Sequence, residues 1–157
     1  MYFQRTQATL NFSKAFWGML LPVTVHGRVS DIWRSYFTQA LLPSVDAVVA
    51  FTPSWVEQVR NAHDYMGDFQ AELPLYRQSG ALVTFLVDYR SHLVDKRSSD
   101  EYSTSIVEHV EALAVRIYET GILEEADVEL TQAWLQDLLA AGYKPPAFDR
   151  RETETSM

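Results

Sequence analysis

The sequence predicts a helix-rich α/β to α+β domain, in which a small strand, turn, helix, strand unit (residues 1–51) precedes a mainly helical part (residues 52–148). Apolar and β-branched residues are concentrated at Phe16–Val25 and Val45–Phe51, as is typical of strands. Elsewhere apolar residues recur at helical spacing. With 157 residues and 47% apolar side chains, the chain can bury the core of one domain.

The first unit is predicted to fold around a polar turn. Pro22 favours an edge position, a bulge or a loop for the first run, and Gly27 interrupts that run. Ser30 is the predicted N-cap of a helix that Pro43 ends. The helix has an apolar face at i, i+4 spacing, formed by Ile32, Trp33, Tyr36, Phe37 and Leu41.

The second part is predicted to contain three helices after a partly helical stretch, residues 55–72. Apolar positions from Leu82 to Tyr89 indicate a helix ending near Ser91, followed by a solvated charged loop, residues 95–100. Two further helices form an antiparallel hairpin, with Asp127 capping the second and Gly121 and Gly142 as left-handed terminators. The residues of the second helix that are expected to face the core are Trp134, Leu135, Leu138 and Leu139. Residues 149–157 are charged and polar enough to form a disordered tail.

Composition excludes several classes of protein. The net charge of −8 disfavours binding to a nucleic-acid backbone, which requires a basic surface. No cysteine is available for a disulfide or a thiolate metal site. No apolar run approaches the ~20 residues of a membrane span, and the first residues lack a signal-peptide pattern. No membrane segment or targeting signal is therefore expected in this chain.

The candidate chemistry is concentrated at the predicted turn. His26, Arg28, Asp31 and Arg34 fall within nine positions, with Trp33 and Tyr36 beside them. Arginine presents a planar fork suited to phosphate or carboxylate, and an aspartate can accept a proton from a hydroxyl. A structural alternative stays open, because an aspartate in a first helical turn is also favoured by the helix dipole and can pair with an arginine at i+3.

The four histidines do not form a zinc motif. None of His26, His63, His92 and His109 occurs in an HExxH pattern or in another close ligand spacing, so no zinc site is expected from this chain alone. His109 is interpreted as a residue at the boundary of an apolar helix face, beside Ile106 and Val110. His63 and His92 are interpreted as surface residues. For His26, a hydrogen bond to a neighbouring carbonyl at the end of a strand and a ligand or substrate contact are equally compatible with the sequence.

Three collinear segments resemble one family. They are AFWGMLLPVTVHGRVSDIWRSYFTQALL with its D-I-W-R core, SGALVTFLVDYRS, and ETGILEEADVELTQAWLQDLLAAGYKPP. Together they are similar to the C-terminal region of the STELLO-type glycosyltransferases over nearly the whole chain. Studied members of that family are Golgi type II membrane proteins of plants that associate with cellulose synthase.

The resemblance implies the C-terminal, acceptor-side part of a GT-A-like domain that transfers a hexosyl or pentosyl group from a nucleotide-sugar to a glycan acceptor. In a complete enzyme, a D-x-D motif would hold manganese or magnesium and the donor diphosphate. This chain has no D-x-D motif. The resemblance therefore implies a fragment, an incomplete gene model or a truncated paralogue, which alone is expected to be inactive and to bind no metal. It also implies a Golgi location and a synthase complex as a protein partner.

The resemblance also suggests roles for the residues of the turn. Asp31 is the candidate catalytic or acceptor-binding carboxylate, and Arg28 and Arg34 would neutralise diphosphate or orient the acceptor. His26 would complete the metal or diphosphate contacts. Trp33 and Tyr36 would pack or stack on a sugar. The alternative function is a non-catalytic helical interaction module that uses its acidic surface and the aromatic residues Trp55, Tyr65 and Tyr76.

Overall fold

The computed structural model describes residues 9–53, 56, 57, 59, 62–96 and 105–147, and helices dominate these ranges. Two 3-10 helices occur, at Ser13–Gly18 and Leu42–Val45. The α-helices are α1 (Gly27–Leu41), α2 (Tyr65–Ala71), α3 (Leu73–Lys96), α4 (Ile106–Glu119) and α5 (Glu125–Ala140). The described residues contain no strand, and their extended pairing is limited to one antiparallel bridge between Ser105 and Ala147. The helix-rich prediction is confirmed.

The predicted strand at Phe16–Val25 is wrong. Its first residues belong to the 3-10 helix Ser13–Gly18, and the rest of the segment is irregular up to α1. Trp17 is 2% exposed, and its indole Nε1 donates to the carbonyl of Lys14 at 2.9 Å. Pro22 is buried and cannot donate to a ladder. Trp17 and Pro22 are therefore buried without a strand, whereas Phe16, Leu21 and Val23 are 39%, 42% and 60% exposed.

The predicted strand at Val45–Phe51 is also wrong. Val45 ends the second 3-10 helix, and Asp46 then adopts a left-handed conformation with φ 50°. Val48 and Phe51 are 84% and 63% exposed, so the run is not a buried strand. β-Branched composition favours a strand only where a neighbouring strand can pair with it. The described residues supply no such neighbour.

Helix α1 lies at the centre of the core. It packs against α3 and also contacts α2, α4 and the first 3-10 helix. Its predicted apolar face is confirmed, because its described members are buried or partly buried: Ile32, Trp33, Tyr36, Phe37 and Leu41. The predicted cap is wrong: the helix begins at Gly27 with His26 as N-cap, and the Ser30 hydroxyl donates to the Gly27 carbonyl at 3.1 Å inside the first turn.

The helices of the second half differ from the prediction mainly in length. Residues 65–71 supply the helical portion predicted within the stretch 55–72, as α2. Helix α3 is longer than predicted and carries Pro74 in its first turn, where a proline is tolerated. Leu82 and Leu86 of α3 are fully buried against the core. No helix in these described ranges has the length and apolarity that a bilayer crossing requires.

Helices α4 and α5 pack on each other as the predicted hairpin. Gly121 (φ 75°) and Gly142 (φ 85°) are left-handed at the two helix ends, as predicted. The N-cap of α5 is Glu124, so the prediction of Asp127 is wrong. Leu135 is buried, but Leu139 is 47% exposed and does not face the core. The predicted tail at 149–157 and residues 97–100 of the predicted loop lie outside the described residues.

Candidate functional site

The candidate site is the amino-terminal half of α1 with the segment that leads into it. His26 adopts an extended conformation, and its Nδ1 accepts a hydrogen bond from the backbone N–H of Arg28 at 3.2 Å. This bond satisfies one of the N–H groups that a helix start leaves without an intrahelical partner. The imidazole is exposed. The structural alternative for His26, a strand-end residue bonded to a neighbouring carbonyl, is wrong in its partner: the imidazole accepts from a backbone N–H and caps a helix.

Arg28 joins α1 to two carboxylates that follow in the chain. Its Nη2 lies 2.8 Å from Asp68 Oδ2 in α2, and its Nε lies 3.2 Å from Glu72 Oε1, just after α2. His63 Nδ1 lies 3.3 Å from the same Asp68 oxygen. The Arg28 side chain is 37% exposed, so solvent screens these pairs. Asp68 and Glu72 are four residues apart, a spacing that places two carboxylates on one helix face and could have identified them as a pair.

Arg34, one turn after Asp31, is buried. Its residue surface is 5% exposed, and its Nη1 contacts the Met19 sulfur at 3.6 Å, a weak acceptor. Among the described residues, the Nε of Arg34 has no hydrogen-bond acceptor. Burial lowers the pKa of Arg34 below its ordinary value, and the charge of half-buried Asp31 partly opposes this effect. Arg34 is a cation that its surroundings compensate incompletely.

Trp33 and Tyr36 are core residues. Trp33 is fully buried and Tyr36 is 6% exposed, and their ring centroids lie 6.0 Å apart in a tilted arrangement. Burial raises the pKa of the Tyr36 phenol. Neither ring presents a face on which a sugar could stack in this conformation, so the geometry corresponds to the packing alternative predicted for both residues.

The six predicted site residues lie on the first three turns of α1 and on its N-cap, but not in one cleft. Arg28, Asp31 and Arg34 follow i, i+3 and i+6 spacing, and six residues rotate the side chain by about 120° around a helix axis. Arg28 faces α2, whereas Arg34 faces Met19 and α4. Asp31 lies between the two arginines along this row.

A small cavity borders Arg34. Its volume is about 60 Å³, and it lies between the segment before α1, α1, α4 and the region where α5 begins. The walls are mostly apolar, and Arg34 is the one charged residue among them. Sequence reasoning did not identify this cavity, because its walls come from four separate parts of the chain.

Asp127 was predicted as a helix cap and instead binds the segment before α1. It is 2% exposed, and its Oδ1 accepts from the backbone N–H groups of Val23 at 2.7 Å and Thr24 at 3.4 Å. Its Oδ2 accepts from the Thr24 hydroxyl, which in turn accepts from the Glu124 N–H at 3.3 Å. We call this set of contacts the Thr24–Asp127 clasp. It fixes the entrance to α1 against the start of α5.

The described residues do not fit the divalent metal that the family resemblance implies for a complete enzyme. They contain no group of three His, Asp or Glu side chains placed to hold a metal ion. Asp68, Glu72 and His63 come near one another, but Arg28 and His63 already contact these carboxylates. No chemical step is therefore assigned to a metal in this part of the protein.

The chain is similar to two known proteins of one plant. Two curated relatives, the probable glycosyltransferases STELLO1 and STELLO2 of Arabidopsis thaliana, are each 36% identical to this chain over 138 residues. The aligned part is 88% of this chain and 16% of each relative. No solved structure shows significant similarity to the chain.

The family comparison covers most of the helices described above. Residues 28–156 match the family described as STELLO glycosyltransferases, a range that begins at Arg28 and includes Asp31 and Arg34. His26 lies just before it. The D-I-W-R core of α1 and both helices of the hairpin thus fall inside the matched range, and the chain belongs to the STELLO glycosyltransferase family.

Proposed function

We propose that this chain is the acceptor-side, C-terminal portion of a STELLO-like glycosyltransferase, which transfers a hexosyl or pentosyl group from a nucleotide-sugar to a glycan acceptor. The observation that carries the proposal is the family match over residues 28–156. This range contains Arg28, Asp31 and Arg34 of α1. Because the aligned part is only 16% of each relative, transfer by this portion alone is not expected. A GT-A-like donor-binding part, a divalent metal and a Golgi location belong to the same proposal.

Asp31 is the proposed catalytic or acceptor-binding carboxylate. It is half-buried in the first turns of α1, so it retains contact with solvent while the helix fixes its position. A carboxylate in this position can accept the proton of an acceptor hydroxyl as that oxygen attacks the donor sugar. Arg28 and His26, both at the exposed end of α1, are the proposed contacts to the acceptor or the diphosphate.

The contacts of Arg28 limit what it can do. Two of its guanidinium nitrogens already face Asp68 and Glu72, so an incoming phosphate would have to compete with two carboxylates. Its remaining donors can still orient an acceptor hydroxyl. Arg34 can contact a ligand only through the cavity, and Trp33 and Tyr36 support the site by packing beneath it.

The enzyme proposal is tested in a chimera. Residues 28–156 of this chain replace the aligned segment of full-length Arabidopsis STELLO1, and transfer of labelled sugar from a panel of UDP-sugars is measured. Asp31→Asn is expected to lower the rate by about 10²-fold or more, because general-base catalysis is lost. Asp137→Asn, an exposed aspartate of α5, is the matched control. Equal rates for the parent and Asp31→Asn chimeras would exclude Asp31 from catalysis.

A second measurement tests the assignment to the acceptor side. The melting temperature of this chain alone is compared with and without UDP-sugars and manganese, because a ligand that binds only the folded state raises it. No change is expected. A rise that depends on both donor and metal would place donor binding in this chain and contradict the assignment.

The competing function is a non-catalytic helical interaction module, for example for a synthase complex. It is favoured by the exposed apolar surface of α2 and the start of α3, where Tyr65, Met66 and Tyr76 are 81%, 67% and 62% exposed. Phe69 is 49% exposed and its ring centroid lies 5.5 Å from that of Tyr76. Trp55 lies outside the described residues. The test is a chimera that carries Tyr65→Ser and Phe69→Ser. If it keeps full transfer activity but no longer forms the complex, this surface serves protein interaction and the catalytic residues lie on α1.

A further inference from the structure

Arg34 combines burial with an unused hydrogen-bond donor. The residue is 5% exposed, its Nη1 contacts the Met19 sulfur, a weak acceptor, at 3.6 Å, and its Nε has no acceptor among the described residues. A buried cation in this state is costly, and a hydrophobic residue of similar size would avoid the cost. The presence of a buried guanidinium with an unsatisfied Nε–H at the wall of a cavity therefore points to a ligand that accepts this hydrogen bond.

The cavity sets the size and the character of that ligand. Its volume of about 60 Å³ corresponds to about four to six water-sized groups, since each needs roughly 10–15 Å³. Val110, Leu113, Ala114 and Ile117 form its wall on α4, and Phe37 and Leu41 form its wall on α1. A ligand that fills this space must be small and mostly apolar.

Arg34 is the principal hydrogen-bond donor available to a ligand in the cavity. The Thr38 hydroxyl donates to the Gly18 carbonyl at 2.9 Å, and the Thr131 hydroxyl donates to the Asp127 carbonyl at 2.7 Å. Both hydroxyl protons are thus already engaged. Phosphate carries more oxygens than one guanidinium can satisfy, and the nearby Asp31 repels a dianion. A carboxylate has two oxygens that match the fork of one arginine.

We propose that the cavity beside Arg34 binds a singly charged carboxylate carried on a short branched apolar group, with the carboxylate on the guanidinium and the apolar group against α4. Two sources share this chemistry: a free short-chain carboxylic acid, and the terminal carboxylate of a peptide that ends in valine or a similar residue. Binding at this cavity does not depend on glycosyl transfer, so the chimera experiment and the following titration can fail separately.

The test is a titration of the full chain with sodium isobutyrate, followed by calorimetry and by the Nε–H resonance of Arg34. Isobutyrate is expected to bind and to shift this resonance, whereas isobutyramide and inorganic phosphate should not. Arg34→Met should weaken isobutyrate binding about tenfold or more, because a charge-assisted hydrogen bond is lost. Arg116→Met, which removes an exposed arginine of α4, is the matched control and should bind as the parent does.

A second variant covers the case in which Arg34→Met fails to fold. Asp31→Asn removes the carboxylate charge that competes for Arg34, so it should tighten isobutyrate binding several-fold. An acetylated dipeptide ending in free valine, compared with its amide, distinguishes a peptide terminus from a free acid as the source. Equal binding of acid and amide forms, no binding of either carboxylate, or binding that Asp31→Asn leaves unchanged would each overturn the proposal.

Discussion

Asp127 shows how one side chain can connect distant parts of this protein. Its carboxylate is 2% exposed and accepts from two backbone N–H groups and one hydroxyl of Val23 and Thr24. A buried carboxylate is tolerated where such donors replace its water shell. The residue therefore stabilises the entrance to α1 although it belongs to α5.

The variant Asp127→Ala tests the strength of the Thr24–Asp127 clasp. It is expected to lower the free energy of unfolding by about 3 kcal/mol, because hydrogen bonds to a buried charged group are lost and two backbone donors are left without an acceptor. Urea denaturation followed by circular dichroism measures the change. Asp137→Ala, an exposed position on the same helix, should change the free energy by less than about 0.5 kcal/mol. Equal effects of the two variants would show that the clasp contributes nothing to stability.

At the scale of elements, local signals predicted helix ends better than strands. Gly121 and Gly142 were identified as left-handed terminators, because a glycine after an amphipathic run has a local reason to be there. Composition predicts strands at Phe16–Val25 and Val45–Phe51. A strand forms only beside a partner strand, which composition does not specify. The start of α1 was misplaced because Ser30 is a common cap, whereas the imidazole of His26 performs this role.

Two glycines on different elements should respond in opposite directions to the same substitution. Gly121→Ala should lower the free energy of unfolding by about 1 kcal/mol, because φ 75° strains any side chain. Gly80→Ala, in the middle of α3 where an added Cβ would meet nothing within 4 Å, should raise it by about 0.5–1 kcal/mol. Thermal denaturation of both variants beside the parent measures the pair. A stabilising Gly121→Ala would contradict the left-handed geometry of the α4–α5 connection.

At the scale of the whole molecule, the sequence supplied candidate residues for the site, whose roles stay predictions, but not the arrangement of their side chains. The six candidate residues are neighbours in the chain, so a local pattern could identify them. Their environments depend on distant partners: Arg28 meets Asp68 of α2, and Arg34 borders a cavity completed by α4. The burial of Arg34 and Trp33 follows from packing between helices, which a single sequence does not specify.

Three tyrosines in different parts of the core predict how the molecule responds to alkali. Burial raises the pKa of Tyr36 in α1, Tyr89 in α3 and Tyr143 after α5. Above the ordinary tyrosine pKa of about 10, the unfolded chain loses phenol protons that the folded chain retains, so the free energy of unfolding falls as pH rises. Below that pH this contribution is fully present.

The measurement is denaturation at a series of pH values from neutral to strongly alkaline. In Tyr36→Phe the free energy of unfolding should fall less steeply as pH rises, because one of the three phenol protons that the folded chain retains is absent. The parent and Tyr36→Phe chains at neutral pH, where the contribution of the phenol is fully present, give the reference for each slope. An unchanged slope for Tyr36→Phe would show that its phenol titrates alike in the folded and unfolded chain.

The Thr24–Asp127 clasp can form only late in the synthesis of the chain. Thr24 and Asp127 are 103 residues apart, and a ribosome adding about 5–20 residues per second needs roughly 5–20 s to synthesise the interval. During that time the segment before α1 has no Asp127 carboxylate to bind. On a growing chain, the entrance to the candidate site is therefore fixed only after the first turn of α5 has left the ribosome.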